Sequence, residues 1–188
     1  MAYELEDFCE DCKELIDPET GKKDLDAVRK NLEKLCQNKE FIDAQCGPDA
    51  EVGVHTLYRD PHKDFMVLAH INNEGRTSPP HDHGASWAIY CQAVEHTDMT
   101  EYERTDDSTR QGHAELEITK QYRLDPGNAG YFDSHRIHSI HFPAGARFIR
   151  VTGTDLAKLN TQKFSMKDNT VTVVTPTEKD GDASSGSV

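Results

Sequence analysis

Basic side chains are scarce in this sequence. Lysine and arginine total 21 against 34 aspartate and glutamate residues, which gives a formal net charge of −13 over 188 residues. A molecule with this surplus of negative charge repels the phosphates of nucleic acids and the acidic headgroups of membranes. We therefore expect neither a nucleic acid nor a membrane as a partner.

Long apolar runs are lacking as well. No segment approaches the roughly 18 consecutive apolar residues that are needed to cross a bilayer. The opening stretch, MAYELEDFCEDCKEL, carries acidic side chains where a secretory signal would carry basic ones. We expect a cytoplasmic protein, and the length favours a single domain.

Cysteine is also limited, with five residues at positions 9, 12, 36, 46 and 91. An odd number in a chain without an export signal does not support a disulfide framework. Cys9 and Cys12 form a CxxC, but neither a second CxxC nor a histidine pair follows at the spacing of a zinc site. We therefore expect free thiols with a structural role.

Apolar residues in the first part of the chain follow a helical period. Leu25, Val28, Leu32 and Leu35 are spaced three, four and three apart, with charged and polar residues between them. This spacing places one apolar stripe along a helix. Residues 1–50 are thus predicted to be a helical segment that packs on the remainder.

From about residue 52 the apolar period changes to two. About eight short segments rich in β-branched and aromatic residues are separated by turn signals such as Asp60-Pro61, Asp125-Pro126-Gly127 and Pro143-Ala144-Gly145. With no helix predicted between them, these strands indicate a sandwich or barrel rather than a parallel sheet. The predicted fold class is mainly β, with a barrel over 51–176 and a disordered tail over 177–188.

Seven of the ten histidines lie between His81 and His141, and two of them carry the first chemical signal. In the segment SPPHDHGASWAIY, His81 and His83 stand two apart at the start of an apolar strand. Strand alternation sends both imidazoles to one face and Asp82 to the other. Two imidazoles on one face suit a borderline divalent metal ion.

A second segment, GNAGYFDSHRIHSIH, completes a pair of motifs that resembles the cupin superfamily. Gly75 stands six positions before His81, and Gly127 stands eleven before His138. The resemblance implies a cupin double-stranded β-helix, a jelly-roll barrel, with metal ligands His81, His83 and His138. His135 remains an alternative third ligand, because it stands within the second motif where cupins usually have a glycine or proline. Strand parity lets only one of His135 and His138 face the metal.

The stretch from Val54 to Leu156 resembles the cysteine dioxygenase type of cupin, in its RDP turn, the strand FMVLAHI, the HDH site and a GTDL-like exit. Where many cupins place a glutamate after the HxH, this chain has Trp87 and Ala88. His55 occupies the position of a carboxylate-binding arginine in that family. The late strand carries Arg150 where cysteine dioxygenases have a histidine, which puts cysteine itself in doubt as the substrate.

These features predict a metal-dependent dioxygenase that uses Fe(II), although manganese, nickel and zinc stay open. Its expected partners are dioxygen and a small anionic substrate, a thiol that is oxidised to a sulfinate, with Arg150 and His55 as catalytic residues. Cleavage of a carbon-carbon bond in a diketone or enediol, and metal or ligand binding without turnover, are the alternatives. The resemblance also makes a homodimer possible, and we interpret His62, His70, His96 and His113 as surface or packing residues.

Overall fold

Three helices precede a set of antiparallel strands in the computed structural model, which describes residues 2–176. The predicted tail over 177–188 lies outside the described residues. The helices are α1 (Leu5–Leu15), α2 (Leu25–Gln37) and α3 (Lys39–Cys46), and a short 3₁₀ helix spans Leu156–Lys158. The strands are β1 (Ile16–Asp17), β2 (Lys22–Lys23), β3 (Gly53–Arg59), β4 (Met66–Ile71), β5 (Arg76–Thr77), β6 (Ala88–Val94), β7 (Thr97–Arg104), β8 (Leu116–Leu124), β9 (Ala129–Phe132), β10 (Ile137–Phe142), β11 (Arg147–Thr152), β12 (Thr161–Ser165) and β13 (Thr170–Val174).

Side chains at the helix starts satisfy backbone groups that have no partner within the helix. The Asp24 carboxylate accepts a hydrogen bond from the Ala27 amide at the start of α2. At the start of α3, the side-chain Oδ1 of Asn38 accepts from the backbone amides of Glu40 and Phe41. Glu4 and Asp7 form a reciprocal capping box on α1. Such caps typically contribute about 1 kcal/mol each and define where a helix begins. Among residues 2–176, every helix is too short or too polar to cross a membrane.

Two facing sheets form the barrel. The five-stranded sheet has the order β3-β4-β11-β6-β9 and the four-stranded sheet the order β5-β10-β7-β8, and the pairings within both are antiparallel. The chain passes repeatedly from one sheet to the other, which is the connectivity of a jelly roll. The predicted fold class, mainly β with a jelly-roll barrel, is therefore confirmed.

The two faces of the five-stranded sheet have different coverings. On β11, Ile149 and Val151 are buried against the helices, in one cluster with Phe8 and Leu32. Phe148, which directly precedes Ile149 and so faces the other side of the strand, belongs to a second cluster inside the barrel. Alternate residues of the strand thus face either the helices or the interior of the barrel. The interior is where a small molecule can be enclosed.

All five cysteines are buried and free. Cys9 and Cys12 lie on the buried side of α1, where burial raises the pKa of Cys9 to about 12 and that of Cys12 above its usual range. A thiolate is the reactive form of cysteine, so both side chains are unreactive thiols at neutral pH. Trp87 is also a core residue, 6% exposed.

Candidate metal centre and its cavity

A pair of backbone hydrogen bonds brings the two histidine segments together. His81 and His83 lie in the irregular segment between β5 and β6, whereas His138 lies on β10 of the four-stranded sheet. The amide of His81 donates to the carbonyl of His138 at 2.9 Å, and the amide of His138 donates back at 2.9 Å. This bridge places side chains 57 positions apart in sequence beside one another.

The three imidazole rings form a compact cluster. Ring centroids are 4.6 Å apart for His81 and His138, 4.7 Å for His83 and His138, and 5.4 Å for His81 and His83. One ligand nitrogen from each ring lies within 4.8 Å of the other two. A first-row metal ion binds imidazole nitrogen at about 2.1 Å, so small ring rotations let one ion contact all three.

Backbone carbonyls orient two of these rings. The Nδ1 of His81 donates to the carbonyl of Pro79 at 2.9 Å, and the Nδ1 of His138 donates to the carbonyl of Arg136 at 3.2 Å. Because a carbonyl only accepts, each Nδ1 carries the hydrogen and each Nε2 is left as the free base. Metal-binding histidines are commonly held in this way by the hydrogen bond of the second ring nitrogen.

The Nε2 of His138 is the clearest sign that an ion belongs here. The residue is fully buried, and its Nε2 has no hydrogen-bond partner among residues 2–176. A buried polar atom without a partner costs free energy, and a metal ion would supply the missing interaction. The donor set also fits, because three neutral imidazoles suit divalent iron, copper, nickel or zinc.

Burial keeps the ligands in the protonation state that binds metal. It lowers the pKa of His138 well below its usual value, and the neighbouring His81 lowers it further. Burial likewise lowers the pKa of His81, although the Pro79 carbonyl and Asp82 oppose that shift. Neutral imidazole is the ligand, so both rings are ready for a cation at neutral pH.

Packing restricts the rings further. Phe132 stacks on His138 with centroids 3.7 Å apart and planes 4° from parallel. The hydroxyl of Tyr90 lies 3.3 Å from Nε2 of His83. Asp82 is 2% exposed and points to the other side of its segment, where its carboxylate accepts from the amides of Gly84 at 3.1 Å and Gln162 at 2.7 Å.

The cluster opens into a cavity of about 280 Å³. Its wall combines apolar side chains with a small number of polar ones, as is usual for small-molecule sites. Cations are present in the wall and carboxylates are not. The lining residues with polar side chains, apart from the metal-binding pair His81 and His83, are His70, Asn72, Arg76, Ser78, Tyr90, Arg150 and Lys163.

Arg150 is the predicted catalytic residue that the structure brings to this cavity. It lies on β11, opposite Leu68 on β4 and Tyr90 on β6, and its Nε is buried without a hydrogen-bond partner in the described chain. Burial raises the pKa of Tyr90, and the positive charge of Arg150 opposes this rise. The guanidinium and the phenol are thus close neighbours beside His83.

His55 is not among the residues that line the cavity, so its predicted catalytic role stays a prediction. Its Nε2 is 2.7 Å from the carbonyl of Glu51, and the neighbouring Val54 lines the cavity instead. Adjacent strand residues face opposite sides, so when Val54 faces the cavity, His55 faces away from it. His135 also lies apart, in the left-handed region at φ 61° and with its Nδ1 3.7 Å from Asp82.

Four ionisable residues of the cavity wall were not predicted as site residues: His70, Arg76, Tyr90 and Lys163. His70 is the one with a signal in the sequence, since it is a polar residue in the otherwise apolar strand FMVLAHI. It stacks on Phe148 at 4.6 Å, and its Nε2 is buried without a partner among the described residues. A polar group at such a position needs an explanation, and a cavity ligand provides one.

A second, larger groove of about 600 Å³ lies elsewhere on the surface and lacks these features. Its cations have partners, because Arg136 and Lys120 lie 3.4 and 3.8 Å from carboxylate oxygens of Glu101. Within residues 2–176, the one group of three or more histidine, cysteine or acidic residues close enough to hold an ion is His81, His83 and His138. The smaller cavity is therefore the candidate site.

No protein-family model matches the sequence, and no curated protein matches it. Solved structures do match, at low identity. KdgF from Halomonas sp. is 17% identical with a TM-score of 0.39, over 53% of this chain and 74% of that chain. The cupin domain of Schizosaccharomyces pombe Cnp3 is 12% identical with a TM-score of 0.43, over 57% and 66% of the two chains. The L-ribose isomerase of Cellulomonas parahominis is 13% identical with a TM-score of 0.42, over 54% and 60%.

Proposed function

We propose that this chain is a cupin-type, Fe(II)-dependent dioxygenase that oxidises a small anionic thiol to a sulfinate. The observation that carries the proposal is a cluster of three histidines without a carboxylate, two of which, His81 and His83, line a cavity whose wall bears cations and no acid. The geometry supports a site for a cation and an anion together.

The ligand set determines what the substrate must supply. Three neutral imidazoles leave the full 2+ charge of the ion uncompensated, whereas a carboxylate ligand would cancel part of it. A ferrous ion held by His81, His83 and His138 would supply the positive charge that binds a thiolate and the redox chemistry of its reaction with dioxygen. A substrate that brings its own negative charge therefore completes the site.

Residues of the cavity wall bind and orient this substrate. Arg150 presents a guanidinium beside the histidine cluster, which suits a carboxylate or sulfonate because of its planar pair of donors. Tyr90 is 3% exposed, and burial keeps its hydroxyl protonated, so it is available as a hydrogen-bond donor near His83. Phe142 and Phe148 form apolar walls that limit water around the sulfur.

The proposed reaction balances without a further reductant. A thiol RSH and one O₂ give a sulfinic acid RSO₂H: the S–H bond and the O–O bond break, two bonds from sulfur to oxygen form, and one oxygen takes up the proton in the acid form. Sulfur loses four electrons, and the two oxygen atoms together gain them. The thiol proton leaves on binding and ends on the sulfinate or in solvent.

Oxygen consumption with a defined set of substrates tests this function. Metal-free protein is loaded with Fe(II) under anaerobic conditions, and oxygen uptake is followed after adding thiols with and without an acidic group, or a diketone. We expect uptake with an acidic thiol, one O₂ per thiol, and a sulfinate product identified by mass spectrometry. No uptake with any thiol would overturn the sulfur chemistry, and uptake with the diketone alone would indicate cleavage of a carbon-carbon bond.

Two variants separate the metal from the anion site. His83→Ala should abolish both Fe(II) binding and turnover, because only two ligands remain. Arg150→Gln should still bind the metal. Its KM for acidic thiols should rise by about tenfold, because one charge-assisted interaction with the acidic group is lost. His62→Gln is a matched control, since His62 is exposed and lies outside the cavity. Full turnover by a variant that binds no metal would contradict the proposal.

A further inference from the structure

Three cationic side chains line the cavity, and each lacks an ion-pair partner among residues 2–176. They are Arg76 on β5, Arg150 on β11 and Lys163 on β12. Other cations of the described chain do have partners, as in the contacts Arg104 to Asp106, Arg123 to Asp98 and Arg29 to Glu33. What distinguishes the three is that they line one cavity whose wall has no carboxylate, in a chain with 34 acidic residues against 21 basic ones.

The three cations lie at two depths. Arg150 is partly buried, with its Nε enclosed, next to Tyr90 and the histidine cluster. Arg76 and Lys163 are exposed, and Val54, also in the cavity wall, is 58% exposed. The cavity therefore has one cation within it and two at its mouth.

Backbone pairings place the three cations around the same cavity. Lys163 lies opposite His81 in an isolated bridge, and Arg76 pairs with Phe142 on β10. His81 and Phe142 line the cavity together with Arg150 of β11. The inner and outer charges thus belong to one continuous wall.

Such a cluster is unfavourable without an anion. Like charges repel, and a metal ion at the histidines would add two more positive charges in the same cavity. A thiolate at the metal ion and one acidic group at Arg150 would leave the two cations of the mouth without a partner. A second acidic group would pair with them.

We propose that the substrate carries two acidic groups, one bound by Arg150 inside the cavity and the other bound by Arg76 and Lys163 at the mouth. This inference rests on the proposed function for the chemistry at sulfur, and it names the substrate class as a thiol-bearing dicarboxylate. The two acidic groups would be recognised by side chains of this chain, Arg150 for one and Arg76 with Lys163 for the other.

Binding measurements with matched thiols test the inference. Mercaptosuccinate carries two carboxylates, and 2-mercaptopropionate and 3-mercaptopropionate each lack one of them. Titration calorimetry on anaerobic Fe(II)-loaded protein should give a Kd for mercaptosuccinate at least about tenfold lower than for either monocarboxylate. The advantage should shrink as salt is raised, because the mouth is exposed to solvent.

Single substitutions then assign each acid to its partner. Arg76→Gln and Lys163→Gln should each weaken mercaptosuccinate binding by about threefold to tenfold and leave the better monocarboxylate within about twofold. Arg110→Gln and Lys167→Gln are controls, because both residues are exposed and neither lines the cavity. These controls should bind all three thiols as the unmodified protein does.

The outcomes separate this inference from the proposed function. Equal affinities for all three thiols, or no response to either substitution at the mouth, would overturn the two-acid assignment even if oxygen is consumed. A preference for mercaptosuccinate that depends on Arg76 and Lys163, without oxygen uptake, would support the assignment and overturn the thiol oxidation.

Discussion

The histidines of this chain differ in their surroundings according to where their ring nitrogens point. His138 and His135 are three positions apart, yet His138 is fully buried and the side chain of His135 is 70% exposed. The free Nε2 of His138 faces the other two ligand rings, whereas the Nδ1 of His135 faces Asp82. Position in the fold, and not residue type, separates a ligand from a surface group.

The two residues give a direct test of the third ligand. His138→Ala should weaken Fe(II) or Zn(II) binding by more than about 100-fold, because loss of a ligand exceeds the 10- to 100-fold effect of losing a hydrogen bond to a ligand. His135→Ala should leave binding unchanged. Metal content after dialysis and titration calorimetry measure both. Retained binding in His138→Ala, with loss in His135→Ala, would exchange their roles.

His70 predicts a pH dependence of folding. Burial lowers its pKa well below 6.5 in the folded chain, and the unfolded chain takes up the proton near 6.5. Its contribution to the free energy of unfolding is therefore fully present above about pH 6.5. It is lost as pH falls from there towards the folded-state pKa, at up to about 1.4 kcal/mol per pH unit.

Urea unfolding of metal-free protein between pH 7.5 and 5.5 measures this dependence. In His70→Gln the free energy of unfolding should fall less steeply with decreasing pH, because the position no longer titrates. His62→Gln should keep the original slope, since His62 is exposed. A slope unchanged in His70→Gln would show that His70 does not remain neutral when folded.

At the scale of elements, the segment between β5 and β6 carries two of the three clustered histidines without being a regular strand over its length. The Asp82 carboxylate joins it to β12 through the Gln162 amide, and Gly84 has a left-handed φ of 58°. A Cβ on Gly84 would lie 2.2 Å from the carbonyl oxygen of Asn160. Glycine is needed here for both the dihedral angle and the close backbone contact.

Comparison with a second glycine separates these two requirements. Gly145 has a φ of 82°, but a Cβ there would meet nothing within 4 Å. Gly145→Ala should lower the free energy of unfolding by about 1 kcal/mol, because only the left-handed dihedral is unfavourable. Gly84→Ala should lower it by about 2–4 kcal/mol, because the steric clash is added. Thermal unfolding of both variants measures the difference, and equal costs would contradict it. Gly84→Ala should also weaken metal binding, since His83 is the adjacent residue.

For the whole molecule, the helices and the barrel share a core. Leu32 of α2 is fully buried in the cluster that contains Ile89 of β6 and Val151 of β11. Trp87, the single tryptophan, belongs to the same cluster. We therefore expect the helical layer and the five-stranded sheet to unfold together.

Leu32→Ala tests this cooperativity. It should lower the free energy of unfolding by about 2–4 kcal/mol, the usual cost of a buried leucine. Lys30→Ala on the exposed side of α2 should change it by less than about 0.5 kcal/mol. Trp87 fluorescence and far-ultraviolet circular dichroism should report one midpoint in each variant. Two separate midpoints would show that the helices and barrel unfold independently.

Much of the fold was accessible from the sequence, because its strands and helix faces depend on local periodicity. Apolar residues at period two predicted the strands, and the stripe from Leu25 to Leu35 predicted the buried face of α2. The resemblance of two motifs to those of the cupin superfamily implied that His138 joins His81 and His83. Strand parity within one segment was enough to place His81 and His83 on a common face.

The rest of the site was decided by tertiary structure. Parity states which residues of one strand share a face, but not which face looks into the barrel, so it did not separate Val54 from His55. Arg76, Arg150 and Lys163 come from three strands, and only the closed barrel places their charges around one cavity. Local sequence determines the strands and places His81 and His83 on one face of their segment. Packing between strands determines which charged side chains meet, because electrostatic interactions depend on distances in space.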